Sequence, residues 1–249
     1  MRIAVAGGTG ISGQHVVAAA RARDHEVVVL ARSTGIDLLS GAGVERALRG
    51  VDAVIDMSNP SSTETPDAVS FFAGVTHTLL TAGHRAGVAH HIAVSIVGID
   101  AAPEGYYAGK LTQERLIAEG AVPWTIQRST QFHEFAAQMF ARATVAGIHL
   151  APRGRVQPIA AHELATHLVR RAEEGPQGRA RDLAGPREES LAEMVRSYAR
   201  AIGHRMPLPA ISVPGAIGRA QRSGALLPSG DSLLGTQTFT EWLQALPDA

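Results

Sequence analysis

Cysteine is absent from the sequence, which excludes a disulfide framework, a thiolate metal site and a cysteine nucleophile, and leaves packing to hold the fold. An excess of charge of either sign is missing as well, since Lys+Arg and Asp+Glu number 23 each. That balance offers no basic field, so direct nucleic-acid binding is not expected. There is no apolar run long enough to span a bilayer, and the chain reaches Gly7 without the apolar core of a signal peptide. No membrane partner and a cytoplasmic location are therefore expected. Metal-ligand spacing is lacking too: His162, Glu163 and His167 do not form H-E-x-x-H, and His90 and His91, adjacent on a strand, would point to opposite faces as a solvated strand entry. Internal repeats and low-complexity tracts are also wanting. What is present is a chain of 249 residues with a 45% hydrophobic content, enough for a full core.

That chain is organised around its first turn, Gly7-Gly8-Thr9-Gly10-Ile11-Ser12-Gly13, which follows the apolar run Ile3-Ala4-Val5-Ala6 and opens an alanine-rich helix from Gln14 to Arg23. A dinucleotide pyrophosphate needs close backbone approach and a helix N-terminus whose free N–H groups face its charge. Gly7 suits the tight turn, Gly10 the close approach and Gly13 the contact of helix with strand, with Thr9 and Ile11 in the same cradle. A second strand, Glu26 to Ala31, completes the βαβ unit and separates this pattern from a merely steric glycine turn.

After that strand stand Arg32 and Ser33, where an acid would bind the ribose of NAD and an arginine the 2′-phosphate of NADP. The guanidinium favours NADPH over NADH, against the plainer reading of an arginine solvating a strand end. Asp37, in a short strand Ile36–Leu38, is placed in the same cofactor set. A helix over about 40–48 and the strand Ala53–Met57 follow, ending in the polar loop Ser58-Asn59-Pro60-Ser61-Ser62. Ser58 and Asn59 are assigned to the cofactor, although the loop also reads as a turn of breakers.

A long helix is predicted from Pro66 to Gly87 and a strand from His90 to Ser95. Tyr106 and Lys110 then lie four apart on one helix face, and Ser95 closes the preceding strand at the edge where open α/β folds bind ligands. Trp124–Arg128 is the next strand, and Ser129 to Phe135 opens a helix reaching about Thr144. Gln131, Phe132 and His133 are candidate substrate contacts there, with a surface or capping role as the alternative for His133. Beyond residue 150 the pattern weakens: strands near 156–159 and 181–184, helices over 162–174 and 191–202, and packing candidates Met206, Pro207, Ile217 and Leu226.

Taken together, the glycine turn, Arg32, Ser95 and the Tyr106…Lys110 pair resemble an atypical short-chain dehydrogenase/reductase of the NmrA-like, NAD(P)H-binding group. The segments Gly105–Leu111 and Ser129–Glu134 are similar to motifs of that group. The resemblance implies a Rossmann-type doubly wound α/β fold over residues 1–150, with a smaller C-terminal substrate-binding region over 151–249. It further implies an NADPH-dependent oxidoreductase that transfers a hydride to a small carbonyl, quinone or activated alkene. In that reading Tyr106 donates the proton, Ser95 orients the carbonyl, and Lys110 lowers the tyrosine pKa and holds the nicotinamide ribose. No metal is implied, the partner is a small-molecule substrate, and the chain acts as a monomer or homodimer. The alternative carried by the same group is an NADPH-binding redox sensor that catalyses nothing.

Overall fold

The computed structural model describes residues 1–145 and 147–246. The chain opens with β1 (Arg2–Ala6), α1 (Ile11–Arg21), β2 (Glu26–Leu30), α2 (Val44–Ala47), β3 (Ala53–Asp56), α3 (Thr65–Ala86), β4 (His90–Ile96), α4 (Gly105–Glu119) and β5 (Trp124–Ser129). It continues through α5 (Phe135–Arg142), β6 (Thr144–Val145), β7 (Ile148–His149), β8 (Ala151–Pro152), β9 (Arg155–Val156), α6 (Ala161–Glu174) and β10 (Gly178–Arg179). Then come β11 (Leu183–Ala184), β12 (Glu189–Ser190), α7 (Leu191–Ala201), β13 (Ala210–Ile211), α8 (Gly215–Ser223), β14 (Leu233–Leu234) and α9 (Phe239–Gln244).

Two compact units form, and their sequence segments interleave. The first takes Met1–Ile96, Pro103–Arg128 and Ala161–Arg181; the second takes Val97–Ala102, Ser129–Ala160 and the chain from Asp182 onward. These units do not follow one cut near residue 150. The cause is α6, whose stripe Leu164, Ala165, Leu168, Val169 and Ala172 recurs at helical spacing and is buried. It packs on α1, β3 and β4, so a helix from late in the sequence completes one face of the first unit's sheet.

In that unit the strand order is β5-β4-β3-β1-β2 with β10 on β5, and the pairs β1–β2, β1–β3, β3–β4 and β5–β10 are parallel. This is the Rossmann-type parallel sheet. Parallel strands need helices on both faces, and β1 is accordingly apolar on both, with Ile3, Ala4, Val5 and Ala6 all fully buried. Ala4, Ala6 and Val54 pack with Val75, Leu79 and Ala82 of α3; Ile3 and Val5 alternate to the opposite face. Strand order reverses at β1, so a crevice opens beyond the C-terminal ends of β1 and β3.

Several local expectations are corrected. No strand forms at Ile36–Leu38, because the Asp37 carboxylate accepts the N–H groups of Leu39 and Ser40 at 2.9 and 3.4 Å and bends the chain. The helix expected over 40–48 shrinks to Val44–Ala47, since Gly41 and Gly43 take positive φ angles of 78° and 79° before it. Strand β5 runs on to Ser129 and helix α5 begins only at Phe135, the intervening Phe132 bridging to Ile159. His90 and His91 are not a solvated entry but are 2% and 1% exposed, because β4 lies inside the sheet. His90 Nε2 lies 2.8 Å from Thr125 Oγ1, and burial lowers its pKa to about 4. The late strands shorten to Arg155–Val156 and Leu183–Ala184. Leu226 is buried as expected, whereas Met206 is 70% exposed.

The second unit has its own core, in which Ala136, Val156, Leu191, Met194, Val195, Ala199 and Phe239 are buried with Trp242 against them. Short pairs β12–β9, β13–β8 and β11–β14 tie its loops. Among the described residues no helix is long and apolar enough to cross a membrane, and no group of three or more His, Cys, Asp or Glu could hold a metal ion.

Candidate active site and cofactor cradle

The cradle begins where β1 ends. Gly7 turns with φ +71°, and a Cβ there would stand 2.8 Å from the Met57 carbonyl oxygen. A Cβ on Gly13 would overlap the Gly7 carbonyl oxygen, so the first turn of α1 rests directly on the glycine turn. Gly10 caps α1 with φ −75° and ψ 165°, and a Cβ there would meet only the Gly7 oxygen, at 3.3 Å. Helix α1 has neither a side-chain cap nor an acid in its first turn. Its free N–H groups and the positive end of its dipole are therefore not neutralised by the chain itself.

A cavity of ≈ 640 Å³ adjoins this turn. Gly7, Thr9, Gly10, Arg32, Asp37, Ser58 and Asn59 line it, with Leu30, Ile36, Met57 and Phe71 as apolar walls. The other residues assigned to the cofactor stand elsewhere. Ile11 is 68% exposed, Ser33 is exposed on the short turn Arg32–Thr34, Gly13 closes the turn, and Lys110 is buried. The Asp37 carboxyl is held below the usual carboxylate range by the N–H groups of Leu39 and Ser40, with a smaller contribution from Arg32.

Helix α4 brings a phenol to Asn59, a residue of that cavity's wall, although Tyr106 does not itself line the cavity. Its first residue is tied down by Gly105 N–H donating to Thr65 Oγ1 at 2.7 Å, and Tyr106 donates its hydroxyl to Asn59 Oδ1 at 2.6 Å. One turn on, Lys110 is 5% exposed. Its Nζ donates to the Val94 carbonyl and to Gln113 Oε1, both at 2.9 Å, and lies 4.4 Å from the centre of the Phe72 ring. Burial lowers the Lys110 pKa to about 8, with Asp56 and Glu114 opposing that fall. Burial also raises the Tyr106 phenol above its ordinary value, helped by Tyr107 and Asp56. The expectation that Lys110 depresses the Tyr106 pKa is thus not met in this structure, because the ammonium is turned to Val94 and Gln113 and desolvation dominates the phenol. Tyr107 does point elsewhere: it is 8% exposed and pushed up to about 12 by burial.

Ser95 is 1% exposed. Its hydroxyl oxygen is buried without a hydrogen-bond partner, near the Glu114 carboxylate, where burial disfavours the charge but Arg128, Ser95 and Arg179 hold the pKa below the ordinary range. Arg128 pairs with Glu114 through two contacts of 2.8 Å, and Arg179 adds a third at 2.8 Å. Ser95 therefore stands beside this buried ion cluster without bonding to it, while Tyr106 meets Asn59. Gln131, Phe132 and His133 fall in the second unit. His133 is fully buried, not a surface cap: its Nε2 lies 3.1 Å from the Gln237 carbonyl oxygen and its ring packs on Phe239 and Trp242. Both polar atoms of the Gln131 amide are buried without a hydrogen-bond partner.

Two residues escaped the sequence reading. Asp56, fully buried at the end of β3, accepts Ser58 N–H on Oδ1 and Gln113 Nε2–H on Oδ2, both at 2.9 Å. Their only signals were a carboxylate closing the apolar run Ala53-Val54-Ile55 and a glutamine three residues after Lys110.

The model of a family described as NAD(P)H-binding matches residues 7–147, which covers the glycine turn, the Asn59 loop and the Tyr106–Lys110 helix. The chain belongs to this NAD(P)H-binding family. A (4-alkanoyl-5-oxo-2,5-dihydrofuran-3-yl)methyl phosphate reductase of Streptomyces griseus is 26% identical over 234 residues, 86% of this chain and 78% of that protein. Among solved structures, an NADPH-dependent quinone oxidoreductase from Escherichia coli, complexed with NADPH, superposes with a TM-score of 0.74 at 19% identity over 97% of this chain and 98% of the other. The Citrobacter triphenylmethane reductase complexed with NADP(H) gives 0.73 at 20% identity over 99% and 100%. A UDP-glucose 4-epimerase of Thermus thermophilus with NAD gives 0.70 at 18% identity over 99% and 100%. As a member of the NAD(P)H-binding family, the chain thus has a fold common to reductases and epimerases.

Proposed function

We propose that this protein is an NADPH-dependent reductase of a small carbonyl, quinone or activated alkene, with Tyr106 as its proton donor. The observation that carries this reading is the 2.6 Å hydrogen bond from Tyr106 to Asn59, a residue that itself lines the cavity in front of the glycine turn. An ionisable phenol thereby stands at the edge of the cofactor space. The cavity suits a dinucleotide: the uncapped N-terminus of α1 supplies donors for a diphosphate, Gly10 leaves room for it, and the apolar walls suit an aromatic base. Arg32, exposed on the rim, supports NADPH over NADH, since a guanidinium pairs with a 2′-phosphate. The nicotinamide, when bound, supplies the reducing equivalent. Tyr106 delivers a proton to the substrate oxygen or carbon, and Lys110 provides a positive charge on the same helix face. The phosphate-bearing conjugated lactone in the name of the Streptomyces griseus reductase motivates including activated alkenes in the substrate panel.

The test is NADPH oxidation with quinones, ketones and conjugated lactones, comparing wild type with Tyr106→Phe. Loss of the general acid should lower turnover by about 10²- to 10⁴-fold with NADPH affinity nearly intact. One observation favours the sensor reading: the Ser95 hydroxyl, buried near Glu114, makes no hydrogen bond to Tyr106, whose partner is Asn59. Tight NADPH binding with no turnover on any acceptor would select the sensor, and wild-type turnover by Tyr106→Phe would remove Tyr106 from the mechanism.

A further inference from the structure

Lys110 is the sole lysine among the 23 Lys and Arg residues of the sequence. Its ammonium is held by Gln113 Oε1, and the other end of that amide donates to Asp56 Oδ2 at 2.9 Å. The orientation of the amide is dictated by its neighbours, for a carboxylate only accepts and an ammonium only donates. Asp56 reaches the phenol by a second route. Its Oδ1 accepts the N–H of Ser58, and the next residue, Asn59, accepts the Tyr106 hydroxyl. One buried carboxylate therefore stands at the junction of the two chains of contacts that end on Tyr106 and on Lys110.

We propose that Asp56 is a positioning residue for the Tyr106–Lys110 pair, acting on the ammonium through Gln113 and on the phenol through the Ser58–Asn59 backbone. Its significance for catalysis rests on the reductase reading above, but the relay is measurable without turnover. The charges bearing on Lys110 are Asp56 from β3 and Glu114 from α4, the latter paired with Arg128 and Arg179. Helix α3 presents the Phe72 ring, and β4 presents the Val94 carbonyl together with His91, which interacts with Asp56 and which burial keeps neutral. Removing the Asp56 charge leaves the ammonium buried with less compensation, so its titration must move to lower pH.

A chain with one lysine gives one lysine side-chain signal. The full-length protein labelled with ε-¹³C lysine would be titrated without cofactor, following that resonance. Wild type should show an inflection at about pH 8. Asp56→Asn, nearly isosteric, should lower it by about one pH unit, the size of one charge acting across a single amide in a protein interior. Gln113→Met, which cuts the relay, should lower it similarly, and the double variant should fall no further than the larger single effect, because both act through one chain of contacts. The alkaline limb of kcat should move in step in any active variant. An inflection unmoved in folded Asp56→Asn overturns the proposal; if that variant does not fold, the same result in Gln113→Met overturns it. A shifted lysine signal in a protein whose Tyr106→Phe variant keeps full turnover would instead remove Tyr106 from the mechanism and leave the relay standing.

Discussion

Gly10 and Gly13 sit three residues apart in one turn, yet the structure assigns them opposite sensitivities, and Gly10→Val compared with Gly13→Ala separates binding from folding. Gly10 has φ −75°, ordinary for any L residue, and a Cβ would touch only the Gly7 oxygen at 3.3 Å. Without cofactor, Gly10→Val should cost no more than the poor capping tendency of valine, about 1 kcal/mol, or roughly 2–4 °C in Tm for a chain of this size. With cofactor, its two methyl groups would occupy the space in front of the α1 N-terminus. A diphosphate pushed away loses charge-assisted hydrogen bonds of about 1.5–3 kcal/mol each, so one lost bond weakens NADPH roughly ten- to a hundredfold and two weaken it further. Gly13→Ala behaves differently, because its Cβ overlaps the Gly7 carbonyl oxygen and the turn must open to admit it. Overpacking of that kind costs about 1–3 kcal/mol, which would lower the Tm of the cofactor-free protein by roughly 3–10 °C. Thermal unfolding by circular dichroism without ligand, paired with NADPH fluorescence titration, reads both quantities. The reasoning fails if Gly10→Val binds NADPH like wild type, or if it destabilises the cofactor-free protein as much as Gly13→Ala does.

Arg32→Asp should weaken NADPH by roughly ten- to a hundredfold and leave NADH nearly unchanged in calorimetric titrations, and equal losses for both would remove Arg32 from the 2′-phosphate. Lys110→Met should impair turnover, whereas Tyr107→Phe, whose ring is buried and does not line the cavity, should leave kcat and KM near wild type in steady-state assays. Stability should fall in mild acid: His90 titrates at about 4 when folded against 6.5 when free, so the unfolded chain binds more protons between these values. Urea unfolding should therefore show a loss of up to about 3 kcal/mol from this group as pH drops from about 6.5 to 4. A His90→Gln variant with the same acid slope would show that another group carries it.

Local chemistry made much of the first half readable. The strand–glycine–helix order around Gly7–Gly13, the αL cap at Gly87 after α3 and the one-turn spacing of Tyr106 and Lys110 all follow from interactions within a few residues. Errors gathered where a side chain competes with the backbone or a glycine breaks a pattern, as at Asp37 and at Gly41 and Gly43. The histidines of β4 were misread for another reason: their burial depends on β3 and β5 flanking β4, and strand neighbours are not written into the strand's own residues.

What the sequence determined by itself was the dinucleotide cradle, because glycine's freedom and the polarity of a helix end are properties of contiguous residues. Tertiary structure decided the rest of the site. It carried α6 from beyond residue 150 into the first unit, buried Ser95 near Glu114, and set Asp56 against Gln113, residues 57 apart in the chain. The first depends on an apolar stripe meeting the sheet, and the others on which buried polar groups the packing of distant segments brings together, since a buried charge accepts whichever partner comes within about 3 Å.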